Sequence, residues 1–158
     1  MKLLIVLGSG GHTTEMLRLV DLLGPRYEYS YLVAVDDALS VQKIKVPGPV
    51  YRVMRPRWKR SGLLEVVMRT LVSAMQALVA LVRTTPRAII STGPGPAVPA
   101  SLLAKLLGIK VIYIETGSRV FELSTSGRIL YRFADLFFVQ WPELQRKYPR
   151  AIYAGRLC

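Results

Sequence analysis

The chain opens with a five-residue apolar run, Leu3 to Leu7, that passes at once into Gly8-Ser9-Gly10-Gly11-His12-Thr13-Thr14. Directly afterwards Met16, Leu17, Leu19, Val20 and Leu23 recur at helical spacing. A buried strand, a glycine turn and an amphipathic helix, in that order, predict the first β-α unit of a parallel sheet. The run is too short for a signal peptide, which needs roughly 7–15 apolar residues and a small-residue cleavage site.

The same alternation continues along the chain. Strands are expected at Tyr29 to Val35, Val50 to Met54, Arg87 to Ser91, Val111 to Ile114, Leu136 to Val139 and Ala151 to Tyr153. Helices are expected at Thr13 to Leu23, Ala38 to Ile44, Ala97 to Leu107, Ser126 to Ala134 and Glu143 to Tyr148. Gly24-Pro25 and Gly108 stop two of them. With 158 residues, no linker and no repeat, the expectation is one α/β domain with a mostly parallel sheet. An apolar share of 51% excludes a disordered chain and leaves apolar surface for a partner or a membrane. The single cysteine, Cys158, rules out an internal disulfide and fits a reducing compartment.

The glycine turn is where chemistry is expected. Glycines let the backbone approach a ligand closely, and free N–H groups at a helix start attract an anion. The pattern is not a dinucleotide fingerprint, because Thr13 stands where a third glycine belongs, and no P-loop lysine follows. Gly10, Gly11, Thr13 and Thr14 are therefore candidates for a phosphate or diphosphate. The plainer reading is a tight turn capped by Thr13 or Thr14. His12, the chain's one histidine, sits in this turn, where open α/β sheets bind ligands.

Two later loops belong at the same sheet edge. Gly93-Pro94-Gly95-Pro96 is rigid and poor in N–H groups, so Gly93 and Gly95 are expected to shape a cleft wall or a stiff connector. Glu115 follows the apolar Val111-Ile112-Tyr113-Ile114. Partial burial would raise its pKa and make it a better base. Ser118 supplies a hydroxyl. Arg119 is expected to clamp phosphate or to pair with Glu115.

A net charge of +12, from 22 Lys and Arg against 10 Asp and Glu, attracts nucleic acid, anionic lipid or phosphorylated substrates. No zinc spacing, RNP-type motif or recognition helix supports nucleic acid. Leu63 to Val82 is 20 residues long, enough to cross a bilayer, but it contains Glu65, Arg69 and Gln76. It is expected to lie on a membrane or pack on the sheet. Arg57, Trp58, Lys59 and Arg60 just before it make an interfacial anchor, with Arg55 alongside.

Several motifs recur in order: Gly8-Ser9-Gly10-Gly11-His12-Thr13-Thr14-Glu15-Met16-Leu17, Gly93-Pro94-Gly95, Glu115-Thr116-Gly117-Ser118-Arg119, Val139-Gln140-Trp141-Pro142, Lys147-Tyr148-Pro149 and Gly155-Arg156. Together they resemble the membrane-anchoring subunit of the two-chain enzyme that adds the second N-acetylglucosamine to dolichyl-diphosphate-N-acetylglucosamine. Bacterial relatives of that family are polysaccharide-biosynthesis transferase subunits with other sugar acceptors. The resemblance covers nearly the whole chain. It implies a single Rossmann-like domain, the N-terminal half of a GT-B glycosyltransferase, whose donor half is a separate polypeptide. It implies inverting transfer from UDP-N-acetylglucosamine to a polyprenyl- or dolichyl-diphosphate sugar, without metal or cofactor and inactive without the partner. Glu115 or His12 would be the base, and the glycine turn with Ser118 and Arg119 would hold the acceptor's diphosphate. The alternative is a non-catalytic scaffold that recruits the donor subunit. The expected location is the cytoplasmic face of a plasma or endoplasmic-reticulum membrane. Eukaryotic members begin with a transmembrane anchor, whereas this sequence begins at its first strand. That moves the expected membrane contact to residues 55–83 and suggests a prokaryotic source.

Overall fold

The computed structural model describes residues 1–56 and 62–157. Seven strands form one sheet: β1 (Lys2–Val6), β2 (Glu28–Ala34), β3 (Val50–Val53), β4 (Ala88–Ser91), β5 (Lys110–Ile114), β6 (Leu136–Val139) and β7 (Ile152–Tyr153). Six helices connect or flank them: α1 (Gly11–Leu23), α2 (Ala38–Gln42), α3 (Leu63–Thr84), α4 (Ala97–Leu106), α5 (Thr125–Leu130) and α6 (Pro142–Lys147). The strand order is β3-β2-β1-β4-β5-β6-β7. Every pairing among the described residues is parallel, where the sequence promised only a mostly parallel sheet.

The topology fixes where a ligand can bind. From β1 the chain steps outward through β2 and β3, then crosses back to β4 and steps the other way. The order therefore reverses between β1 and β4, and the loops leaving these two strands part to leave a crevice. The loop after β1 is the glycine turn, and the loop after β4 is Thr92 to Pro96.

Strand alternation accounts for the two halves of the core. Leu4, Val6, Ile89, Val111 and Tyr113 face α3 and α4. Leu3, Ile5, Leu7, Ile90 and Ile114 face the α1 side. Both faces are covered, so β1 is apolar from Leu3 to Val6 instead of alternating with polar residues. Ala77 and Ala80 of α3, with Ala97, Ala100 and Ala104 of α4, are fully buried. Their small side chains let the two helices approach each other and the sheet closely.

Helix α3 answers the question left by its composition. Its C-terminal half packs inward through Ser73, Ala77, Ala80, Leu81 and Thr84. Gln76 accepts a hydrogen bond from the Met54 amide at 2.6 Å, which ties the helix to the end of β3. Its N-terminal half leaves Leu63 83%, Leu64 77% and Leu71 57% exposed. Thr85, in the left-handed region at φ 43°, and Pro86 end the helix. Helix α5 ends four residues sooner than expected and starts one residue earlier, because Ser124 caps it by accepting from the Gly127 amide at 2.9 Å. The basic anchor Arg57, Trp58, Lys59 and Arg60 lies outside the described residues.

Candidate active site at the sheet switch point

The glycine turn delivers α1 with an open start. Gly10, at φ 67°, occupies the N-cap position, and no side chain caps the helix. The plainer reading of the turn, a cap by Thr13 or Thr14, is not what forms. Instead Thr14 Oγ1 points back to the Gly10 carbonyl at 3.3 Å. Thr13 is buried, its hydroxyl 2.6 Å from Ser40 Oγ. Ser40 in turn hydrogen-bonds Asp37 and the Gly8 carbonyl. Thr13 therefore pins the turn to α2, and its side chain is withdrawn from any ligand. The first N–H groups of α1, with the positive end of its dipole, remain unclaimed by a side chain.

His12 is half-buried beside this open start. Its Nδ1 lies 3.1 Å from Thr92 Oγ1, which also lies 3.4 Å from the His12 carbonyl oxygen. Thr92 has a single hydroxyl hydrogen. With that hydrogen given to the carbonyl, the oxygen accepts from Nδ1–H, and Nε2 is left as a bare acceptor. Desolvation lowers the His12 pKa below its usual 6.5, opposed by the charge of Glu15 and by the Thr92 hydrogen bond. The ring is therefore neutral at neutral pH, the form a base requires.

The loop after β5 closes the other side. Thr116 and Ser118, with Gly11, His12, Thr14 and Glu15, line a pocket of about 490 Å³. Glu15 was not singled out from the sequence. It is 5% exposed, and its Oε1 accepts from the Gly117 amide at 2.8 Å and the Thr116 hydroxyl at 3.1 Å. Its Oε2 is buried without a partner among the described residues. Ser118 and Arg119 are exposed at the rim, and Arg119 forms no ion pair among the described residues. Arg55, held by Asp36 at 3.2 Å, brings its Nη1 to 3.5 Å from Ser9 Oγ. It adds a second cation beside the glycine turn. Across the crevice, a Cβ built on Gly95 would lie 3.5 Å from Pro56, so this wall abuts Arg55 and Pro56.

Glu115 stands elsewhere, which corrects the sequence expectation. It follows Tyr113 by two residues and shares that residue's face of the sheet, turned toward α4 and α5. It is 0% exposed. Oε1 accepts from the Tyr113 hydroxyl at 3.3 Å and the Thr116 amide at 3.1 Å. Oε2 accepts from the Ser124 amide at 3.0 Å and the Ser124 hydroxyl at 3.1 Å. A Cβ at Gly127 would collide with Oε2, so glycine is required for this approach. Burial pushes the Glu115 carboxyl up, while the Ser124, Thr116 and Tyr113 hydrogen bonds pull it down. It faces neither the pocket nor Arg119. It staples the β5 loop to the start of α5.

The sequence of the whole chain matches a known family over residues 3–157: "Oligosaccharide biosynthesis protein Alg14 like". The chain belongs to the Alg14 family. It is 38% identical to the mouse "UDP-N-acetylglucosamine transferase subunit ALG14" over 180 aligned residues, covering 99% of this chain and 83% of that protein. It is 37% identical to the human protein of the same name, with the same coverage. The fission-yeast counterpart, from Schizosaccharomyces pombe, is also 37% identical, covering 97% of this chain and 81% of its own.

Solved structures show the same fold at lower identity. MurG of Acinetobacter baumannii superposes with a TM-score of 0.73 at 20% identity, over 90% of this chain and 42% of its own. A UDP-N-acetylglucosamine 2-epimerase superposes with a TM-score of 0.77 at 16% identity, over 99% of this chain and 48% of its own. This Alg14-family chain thus has the architecture of the N-terminal half of GT-B enzymes and spans under half the length of those proteins.

The pocket gathers part of the expected site and leaves the rest out. Gly11, His12, Thr14 and Ser118 meet there, with Gly10 and Arg119 exposed beside them. Thr13 and Glu115 serve the scaffold. A larger cleft of about 860 Å³ lies at the opposite sheet edge, around Met1, Lys2, Arg87 and Lys110. That is the N-terminal end of the strands, away from the loops that bind ligands in such sheets. In this Alg14-family fold Gln140 does a job the sequence did not reveal. Its amide donates to the Glu115 carbonyl at 3.1 Å and accepts from the Leu157 amide at 2.7 Å, docking the C-terminal segment onto the site loop.

Proposed function

We propose that this chain is the acceptor-binding subunit of a heteromeric glycosyltransferase. The enzyme would transfer N-acetylglucosamine from UDP-N-acetylglucosamine to a polyprenyl- or dolichyl-diphosphate-linked sugar at the cytoplasmic face of a membrane. The family membership and the relatives' shared subunit name support the reaction class. The observation that carries the acceptor role is the pocket at the switch point. It brings the His12 imidazole beside a helix start with no side-chain cap and a rim arginine that forms no ion pair among the described residues.

In this reading the exposed N–H groups at Gly10 and Gly11, with Ser118 and Arg119, hold the lipid's diphosphate. His12 Nε2 removes the proton from the attacking sugar hydroxyl. The hydroxyl oxygen bonds to the donor's anomeric carbon from the face opposite UDP. The bond from that carbon to the UDP oxygen breaks, and the configuration inverts. The partner subunit supplies the grip on UDP.

The membrane role is supported by the apolar, exposed N-terminal half of α3. The partner role is supported by an open apolar groove of about 450 Å³ between α1, the β5–β6 face and the C-terminal segment.

The test is reconstitution with the donor-binding subunit. The isolated chain is expected to transfer nothing. The complex is expected to glycosylate a polyprenyl-diphosphate sugar, and His12→Ala is expected to lower kcat/KM about 10²–10⁴-fold with the complex intact. Normal turnover by His12→Ala would favour a non-catalytic scaffold. Turnover only with a different lipid-linked sugar would place the subunit in bacterial exopolysaccharide synthesis.

A further inference from the structure

We propose that Glu15 binds the acceptor sugar itself, its idle Oε2 accepting a hydrogen bond from one of the sugar's hydroxyl groups. The proposal rests on the acceptor-binding reading above and assigns that pocket a second ligand-contacting group and an orientation.

Two halves of one carboxylate behave differently here. Oε1 is fully occupied, taking the Gly117 amide at 2.8 Å and the Thr116 hydroxyl at 3.1 Å. That half fixes the β5 loop against α1. Oε2 is buried and has no donor among the described residues. Buried carboxylate oxygens without a partner are uncommon in folded proteins, because desolvation without a hydrogen bond is costly. Glu15 lines the same pocket as His12, Ser118 and Gly11. It lies one helical turn from His12 on α1, whose pKa its charge raises.

The chemistry of Oε2 selects what completes it. A carboxylate oxygen needs a donor. Phosphate oxygens at neutral pH are acceptors and carry like charge, so a diphosphate is repelled from this end of the pocket. A sugar hydroxyl is a donor and is neutral. The arrangement therefore orders the acceptor: diphosphate outward at Gly10 and Arg119, which are exposed, and sugar ring inward between Glu15 and His12. In that pose the hydroxyl held by Glu15 and the hydroxyl facing His12 lie on one ring.

Glu15→Gln separates the two halves. The amide oxygen still accepts from Gly117 and Thr116, while an NH2 donor replaces Oε2. The reconstituted complex carrying Glu15→Gln is expected to keep its melting temperature and its KM for UDP-N-acetylglucosamine. Its kcat/KM for the lipid-linked acceptor is expected to fall about 10–100-fold. On acceptors lacking single hydroxyls, one analogue is expected to react equally with both proteins, and it names the contacting hydroxyl. A loss of unchanged size on every analogue, or no loss at all, would overturn the proposal. Equilibrium titration with a short-chain diphosphate-linked N-acetylglucosamine, without donor, reads the same contact independently of turnover. Equal affinity of the two proteins there also counts against it. If the wild-type complex transfers nothing yet Glu15→Gln weakens that binding, the reaction reading fails and this inference stands.

Discussion

Removing the Glu115 carboxylate would strand the Thr116 and Ser124 amide hydrogens in a closed interior. Glu115→Ala is therefore expected to lower stability by about 2–4 kcal/mol, from orphaned donors and a cavity together. Molecules that remain folded are expected to keep the wild-type acceptor KM. The pH dependence identifies the cause. Glu115 has a folded pKa above its usual 4.5. From about 4.5 up to that raised value the native state binds more protons than the unfolded state, so this residue's contribution to stability falls as pH rises. Denaturant melts of wild type and variant across the acidic range should show the difference between them shrinking as pH rises through that window. An unchanged difference would remove Glu115's titration as the cause. The place of His12 in the pocket was legible because the first strand-to-helix turn of an open α/β sheet lies where such sheets bind ligands. Glu115 was misread because an apolar strand announces burial without saying toward which face. The two-residue step from Tyr113 decides that, and it becomes visible only once α4 and α5 are placed. Glu15 was hidden for the opposite reason. On a helix it looks like one more surface carboxylate until the β5 loop closes over it.

Helix α3 joins two surfaces that a single element seldom combines. Its period and length were plain in the sequence, and so was its conflict with Glu65 and Arg69. These two now pair at 2.7 Å on the exposed surface. What the sequence hid was where the sheet stops covering it. The buried set runs from Ser73 to Thr84, and the first two and a half turns leave Leu63, Leu64, Met68 and Leu71 exposed among the described residues. The helix is 22 residues long and contains an 18-residue stretch with a mean hydropathy of 1.6, so length and composition alone would also suit a membrane crossing. The packed C-terminal half argues for lying on the surface. Burying a leucine or methionine side chain in an apolar phase is worth about 1.5–3 kcal/mol. Leu64→Glu with Met68→Glu is therefore expected to weaken binding to anionic vesicles about 100-fold or more, leaving the melting temperature unchanged. Sedimentation with vesicles measures this. Retained binding would shift the membrane contact off α3. Added salt should weaken the wild-type interaction as well, since a chain of net charge +12 meets anionic headgroups electrostatically.

At the scale of the molecule the sheet is covered unequally. The alternation of strands and helices made the single parallel α/β domain legible, and β1 with its glycine turn made the switch point legible. The open face was not. It arises because α3, α4 and α5 lie on one side of the sheet, while on the other side α1 reaches only part of the way across. Ile112 of β5 and Leu136 and Phe138 of β6 are left beside Leu22 and Leu23 at the end of α1, with Ala154 to Leu157 along the rim. No pattern within β5 or β6 reports what lies over them. The relatives are named as subunits, so a second polypeptide is the occupant proposed for this groove. The groove adjoins the segment that Gln140 docks onto the Glu115 loop. A partner seated there would also brace the loop that carries Ser118 and Arg119. Leu22 is 71% exposed and Leu136 42% exposed, so both tolerate a polar side chain in the isolated chain. Leu22→Asp with Leu136→Asp is expected to weaken association with the donor-binding subunit about 30-fold or more while the chain's own melting temperature holds. Acceptor binding by the isolated variant should persist, because the pocket opens at the strand ends and not on this face. Full association by the variant would assign the donor subunit to another surface and leave the groove without its occupant.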